Sequence, residues 1–358
     1  MRSLSGLLRR STSLVGIDIG SSAVKAVELA PAGGRGVVAT AGMQALPAES
    51  IVKGEIVDRT AVAEAIRRLL GAAGILGRHA ALSLPGGAVI ARELAMPRMS
   101  PAELAGSIAW EAERHIPFDL GDVNLDYQVV DREGDSEPGA SMVVLLVAAK
   151  KTTIAEYAAA VTEAGCLPAV VDVAGFALQN ACALQGGLAR GVVALLNCGA
   201  SAINVNIVQG GRSVFTRDIA AGGNACTEAL RRTGALSFEE AERLKKDLSI
   251  RGARREDAEA VLREATEDLL LEVEKTLDFF AASRAAGRID RIVLSGGASQ
   301  EAGFASAMTR RFDVPVERFD PFRKSRVRGQ PVGWRDPADL AAAAGVAAGL
   351  ALRRTGDR

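Results

Sequence analysis

Asp18, Gly20, Ser21, Ser22 and Lys25 fall within one short stretch, LVGIDIGSSAVKAVEL. An acid, a glycine, two small hydroxyl residues and a lysine at a strand-ending turn are side chains suited to holding a phosphate or another anion. A plain hairpin also uses a Gly-Ser-Ser turn, so the stretch alone leaves both readings open. A second stretch, LLNCGASAINVNIV, repeats the shape: an apolar strand, Asn197, then Gly199, Ala200 and Ser201, then another strand. Two such hairpins facing across a cleft would point backbone N–H groups at one anion from both sides. A third turn, VLSGGAS, follows a strand and is expected to open a helix. There Gly296, Gly297 and Ala298 would let a flat ligand approach the backbone. Each glycine turn alone reads better as a structural turn, whereas three in this order read as a ligand cradle.

These turns need a scaffold, and the hydrophobic pattern supplies one. LVGIDI, AVKAVELA and GVVATAGM read as an antiparallel meander, followed by a helix starting at Asp58 and a buried strand, AALSLP. From about Val89 a strand, a helix capped by Ser100 with Pro101 and Glu103, an alternating strand NLDYQVV, a buried strand MVVLLVAA and a helix KTTIAEYAAAVTEAG form an inserted block. After a strand end and helix in VVDVAGFALQNACAL, the second half opens with three strands and continues with helices. It then gives a strand, the GGAS turn and a helix, and ends in one helix capped by Asp336. The two halves repeat one theme, a duplicated α/β plan. The expected divisions are 13–88 for the first part of lobe I, 89–167 for the insertion and 168–188 for the connecting part of lobe I. Lobe II takes 189–335, and the C-terminal helix and tail take 336–358.

Bulk composition narrows the function. The 43 Lys and Arg equal the 43 Asp and Glu, so no global field draws the chain onto nucleic acid, and at 4 % aromatics it has few stacking platforms. Four scattered cysteines, Cys166, Cys182, Cys198 and Cys226, read as buried thiols of a reducing compartment. With only His79 and His115 beside them, zinc has little to bind. No secretory signal or bilayer-length apolar run is present. Leu4, Leu7 and Leu8 with Arg2, Arg9 and Arg10 read as a frayed tail or as a segment grazing a membrane surface.

The order of two phosphate hairpins and a GGAS turn resembles the actin, heat-shock chaperone and sugar kinase superfamily, and the insertion sits where FtsA, the actin-like division protein, carries its own. More specifically, MSPAELAGSIAWEAERHIPFDLGDVNLDYQVV, LLVAAKK, VVDVAGFALQNA, FTRDIAAGG, and IVLSGGAS followed by PVERFDPF resemble the PilM family, from about residue 13 to residue 352. The resemblance implies an actin-like duplicated nucleotide-binding α/β fold with an FtsA-like inserted subdomain, binding ATP and Mg²⁺. On this resemblance Asp18 would hold magnesium through water. Gly20, Ser21, Ser22 and Lys25 would cradle the phosphates, and Gly199, Ala200 and Ser201 would clamp them from the other side. Gly296, Gly297 and Ala298 would line the adenosine, with Glu242 and Lys245, at i and i+3 in FEEAERLKKD, meeting ribose and adenine. An ordinary helical ion pair is the alternative for those last two.

The resemblance also implies a function. The family is a cytoplasmic scaffold of the type IV pilus inner-membrane platform, peripheral at the inner face of the membrane through its partners. It binds the N-terminal peptide of a PilN-like protein alongside other platform proteins. An FtsA-like division protein and a small-molecule kinase are the alternatives. The chain ends just after its last body helix, without the membrane anchor that FtsA carries, and a kinase needs a base. Asp172 is the one acid near the first connecting helix for that role, and it reads more simply as a strand-end or cap residue. Two departures stand out. Asn197 replaces the aspartate usual in the superfamily, and Ser201 replaces a second glycine. Losing a charged group that organises water slows phosphoryl transfer, so ATP binding with slow or negligible hydrolysis is expected.

Overall fold

The structure, a computed structural model, describes residues 14–31, 37–130, 141–247, 255–283, 287–328, 332–334 and 337–357. The basic N-terminal tail and the expected Asp336 cap lie outside the described residues. Strands β1 (Val15–Ile19), β2 (Ala23–Pro31) and β3 (Val37–Ala45) form the expected antiparallel meander, with Asp18 directly opposite Lys25. A hairpin too short to read from sequence, β4 (Ile51–Val52) and β5 (Glu55–Ile56), leads into helix α1 (Arg59–Ala73). The Asp58 carboxylate accepts from the Ala61 N–H at 2.9 Å, and Gly74 ends the helix at φ 67°. Strand β6 (His79–Leu84) then pairs with β1 in parallel.

The inserted block comprises β7 (Val89–Pro97), α2 (Pro101–His115), β8 (Val123–Val129) and β9 (Ser141–Lys150), in a sheet ordered β7-β9-β8. Ser100 and Glu103 close a full capping box on α2. Leu94, Leu104, Ile108, Ala112, Val144 and Leu146 give the block a core of its own. β9 was expected to be buried throughout, but it alternates, because α2 covers only one face of this antiparallel sheet. Helix α3 (Lys151–Glu163) was grouped with the insertion on sequence, yet Tyr157, Ala160 and Val161 pack into the first core with Ile66 and Leu69 of α1. Strand β10 (Leu167–Val173) follows, parallel to β6.

Helix α4 (Ala174–Leu184) carries the chain into a second sheet. Strands β11 (Val192–Cys198), β12 (Ile203–Gln209) and β13 (Arg212–Ile219) form another antiparallel meander. Helices α5 (Gly223–Gly234), α6 (Phe238–Lys246) and α7 (Arg255–Ser283) come next. Strand β14 (Arg291–Ser295) pairs parallel to β11. After α8 (Phe304–Phe312), strand β15 (Val316–Arg318) pairs parallel to β14. The order β13-β12-β11-β14-β15 therefore repeats β3-β2-β1-β6-β10, three antiparallel strands followed by two parallel ones. Only β16 (Ser325–Val327), which adds in parallel to the β3 edge, breaks the match.

The C-terminal stretch was expected as one helix and forms two, α9 (Pro337–Ala343) and α10 (Gly345–Leu350). The Ala342 carbonyl, which a continuous helix would use four residues on, accepts instead from the Gly296 N–H at 2.7 Å and the Ser295 hydroxyl at 2.9 Å. Helices α4 and α10 form the layer between the two sheets, in a core that includes Ala81, Leu178, Leu195, Val293 and Leu350. Their approach is close enough that a Cβ on Gly349 would collide with the Ala177 carbonyl, and one on Gly16 with that of Ala347. Substituting either glycine by a larger residue forces these backbones apart.

Candidate functional site

Each sheet places one polar row on the side facing this central layer. In the first sheet Asp18 has the same strand parity as Gly16, which lies on α10. In the second, Asn197 has the parity of Val193 and Leu195, which join the central core. Lys25 reaches the Asp18 carboxylate at 3.3 Å, with both side chains mostly buried, and Ser83 donates to the same carboxylate at 3.3 Å. The Lys25 ammonium also lies over Gly20, at 2.9 Å from where a Cβ would sit. Asp18, Gly20 and Lys25 thus come together, with the lysine engaged by the acid, a pairing not foreseen from the sequence.

The two hairpin tips differ from ordinary closed turns. Gly20 donates to the Ala23 carbonyl and Gly199 to that of Ala202, closing each turn. The N–H groups of Ser21, Ser22, Ala200 and Ser201 have no protein acceptor among the described residues. The carbonyls of Gly199 and Ala200 accept from Gly223 and Asn224, which ties the start of α5 to the second tip. Gly222 is required there, because a Cβ would fall 2.5 Å from the Gly199 oxygen. This buttress was not apparent in the sequence; its only signal is the Gly222–Gly223 pair before a helix.

Glu242 and Lys245 form the ion pair of the alternative reading, at 2.8 Å, but within a larger cluster. Lys245 also meets Glu301 at 3.4 Å and donates to the Gly223 carbonyl at 3.1 Å, while Thr227 donates to Glu242 at 2.6 Å. Burial opposes the charge of Glu242, yet Lys245, Thr227 and Lys246 outweigh it and hold its carboxyl below the usual range. Burial prevails at Glu301, whose carboxyl is raised despite Lys245. A Cβ on Gly223 would touch Ala298, so the cluster and the GGAS turn adjoin. Glu301 and Thr227 were missed because neither stands in a recognisable spacing with Glu242.

The GGAS turn opens a 3-10 turn, Gly297–Gln300, and α8 begins only after Gly303. At Gly296, with φ 89°, the close approach is to the backbone of Cys198, so this glycine serves the tight exit of β14 beside β11. A Cβ on Gly297 would point into open space, leaving its face of the turn free for a ligand. Asp172 pairs with Arg353 at 3.3 Å and accepts from the Val173 N–H at 2.7 Å. Burial raises its carboxyl and Arg353 opposes this, an arrangement of a structural strand-end acid. All four cysteines are buried and unpaired. No cluster of three metal-ligating side chains and no helix long and apolar enough to cross a membrane occurs among the described residues.

Residues 16–355 match the family model described as type IV pilus assembly protein PilM. Among solved structures, the fold is similar to the PilM-PilN type IV pilus biogenesis complex, with 28 % identity, 96 % of this chain and 98 % of that one covered, and a TM-score of 0.81. It is also similar to ethanolamine utilization protein EutJ from Carboxydothermus hydrogenoformans, at 17 % identity, 95 % and 89 % coverage and a TM-score of 0.55, a likeness of fold alone. The duplicated sheets have the actin-like α/β architecture with an insertion. The chain belongs to the type IV pilus assembly protein PilM family.

Proposed function

We propose that the chain is an ATP-binding scaffold of the pilus assembly platform, holding its two lobes at a fixed angle around a nucleotide and presenting a surface to a PilN-like membrane protein. The observation that carries the nucleotide reading is the set of four free N–H groups at Ser21, Ser22, Ala200 and Ser201, with Asp18 and Lys25 beside the first pair. Amides without acceptors at two hairpin tips suit a polyphosphate, and a carboxylate beside them suits a hydrated magnesium ion. Glu242 and Lys245, adjoining Ala298 and the open face of Gly297, provide hydrogen-bonding groups for a ribose and a flat base. Gly296 contributes by letting β14 leave close beside the end of β11 behind them. Bound ATP would supply the negative charge that these amides and Lys25 neutralise.

Asn197 in place of an acid, and Asp172 held by Arg353, leave the described site without an evident base, so hydrolysis is slow at most. The partner reading rests on the similarity to a PilM-PilN complex at 28 % identity over nearly the whole of both chains. The N-terminal peptide of a PilN-like protein would bind as an extended segment, using main-chain hydrogen bonds and a few side-chain anchors. The protein would then sit at the inner face of the membrane through that partner and other platform proteins. The test is fluorescence anisotropy with a labelled N-terminal peptide of a PilN-like protein, with and without Mg·ATP. Saturable binding that tightens with Mg·ATP is expected. No binding in either condition would overturn the scaffold reading.

A further inference from the structure

The second polar row contains an acid two strands away from the position where the sequence suggests one is missing. Asn197 Nδ2 donates to Asn204 Oδ1 at 3.0 Å, and Asn204 Nδ2 donates to Asp218 Oδ1 at 2.8 Å, across directly paired positions of β11, β12 and β13. We propose that Asp218, acting through Asn204, fixes the Asn197 amide with Nδ2 turned into the sheet and leaves Oδ1 as the acceptor available to a ligand in the cleft. The ligand rests on the nucleotide reading above, whereas the relay stands on the side-chain geometry.

The direction of the relay follows from what each group can do. Once ionised, the Asp218 carboxylate only accepts, so above its raised pKa Asn204 must present Nδ2 to it. Its Oδ1 is then the atom that faces Asn197, and Asn197 must donate in turn. Asn197 Oδ1 has no protein donor among the described residues, and the residue is only partly buried. The Asp218 carboxylate lies against Gly86, just after β6, where a Cβ would fall on it. A glycine at 86 therefore makes room for the group that orients Asn197. An acceptor suits a water bound to a divalent cation, whose hydrogens point outward, and a donor at the same place would oppose it. Asp218 and Asn204 are positioning residues in this scheme, and the group they serve is a hydrated cation accompanying a phosphate.

The test uses the full chain labelled with ¹⁵N-asparagine, which gives six side-chain amides to follow. The Asn197 amide protons are expected to exchange slowly in the native chain. Exchange should accelerate, with shifted resonances, in Asp218→Asn, although residue 218 is reached only through Asn204. Asn204→Ala should do the same. An Asn197 amide unchanged in Asp218→Asn would overturn the proposal, and this readout requires no nucleotide. Calorimetry then compares the gain in ATP affinity that Mg²⁺ provides. Asp218→Asn should reduce that gain about tenfold, the worth of one good hydrogen bond, with the magnesium-free affinity unchanged. Adding Asn197→Asp to that variant should restore the gain. Equal losses with and without Mg²⁺ would mean a purely structural role and overturn the proposal. A native chain that binds no ATP would instead defeat the nucleotide reading, with the amide exchange still deciding the relay.

Discussion

The two lobes start from the same three-stranded hairpin and finish it with different electrostatics. In the first, the acid is on the first strand, and Lys25 answers it directly across the ladder at 3.3 Å. In the second, the first strand has Asn197, the second Asn204, and the acid appears only on the third, at Asp218. The first row is an ion pair that places a cation and an anion beside free amides. The second is a pair of amides ending in a carboxylate that lies against Gly86 of the first lobe. A duplicated fold can therefore keep its backbone geometry at both tips while separating charge from polarity. The charged row is suited to holding a ligand, and the relayed row to orienting what surrounds it.

The comparison can be broken most sharply at Lys25. Lys25→Met removes the cation beside the free amides and leaves Asp18 with Ser83 but without its counter-ion. ATP affinity should fall by at least about tenfold by calorimetry, since a charged hydrogen bond carries about 1.5–3 kcal/mol. Asn204→Leu strikes the other row. It leaves Asp218 and Asn197 without their shared amide and should cost about 1–3 kcal/mol of stability in urea unfolding. Little loss there would mean that water replaces the relay at no expense.

A smaller effect is expected with pH. Burial raises the Asp218 carboxyl, and the Asn204 donation only partly opposes this. Between the ordinary aspartate value and the raised one, the folded chain holds a proton that the unfolded chain has lost. The stability contribution of this group is therefore full at low pH and declines as pH rises through that window. Subtracting the melting profile of Asp218→Asn from that of the native chain should leave this decline, and a flat difference would place Asp218 in a wetter site. The smallest effect is on the thiols. Burial raises the pKa of Cys182 to about 12 and raises those of the other three cysteines. None should react with a water-soluble thiol reagent until the chain unfolds.

Local signals were legible where the chain carries its own punctuation. Asp58, the Ser100–Glu103 box and the alternation of apolar strands place their elements correctly because those effects act within a few residues. The helical Glu242–Lys245 pair was legible as the alternative reading, since a helix turn fixes that spacing, whereas the Asp18–Lys25 pair across the ladder was not read. What could not be read depends on contacts distant in sequence. The break between α9 and α10 comes from Ser295 and Gly296 capturing the Ala342 carbonyl. Glu301 joins Lys245 only when the GGAS turn packs on Gly223. Helix α3 leaves the inserted block because α1 offers it a deeper apolar face. Asp218 joins the Asn197 row only because β12 and β13 align it two strands away.

The most direct test of the account is equilibrium binding of ATP to the purified chain, with and without magnesium, beside Asp18→Ala, with phosphate release followed in the same samples. Magnesium-dependent binding that Asp18→Ala abolishes, with little phosphate released over hours, is the predicted result. Binding that ignores both magnesium and Asp18, or no binding at all, would contradict the reading of the two hairpin tips as a nucleotide cradle.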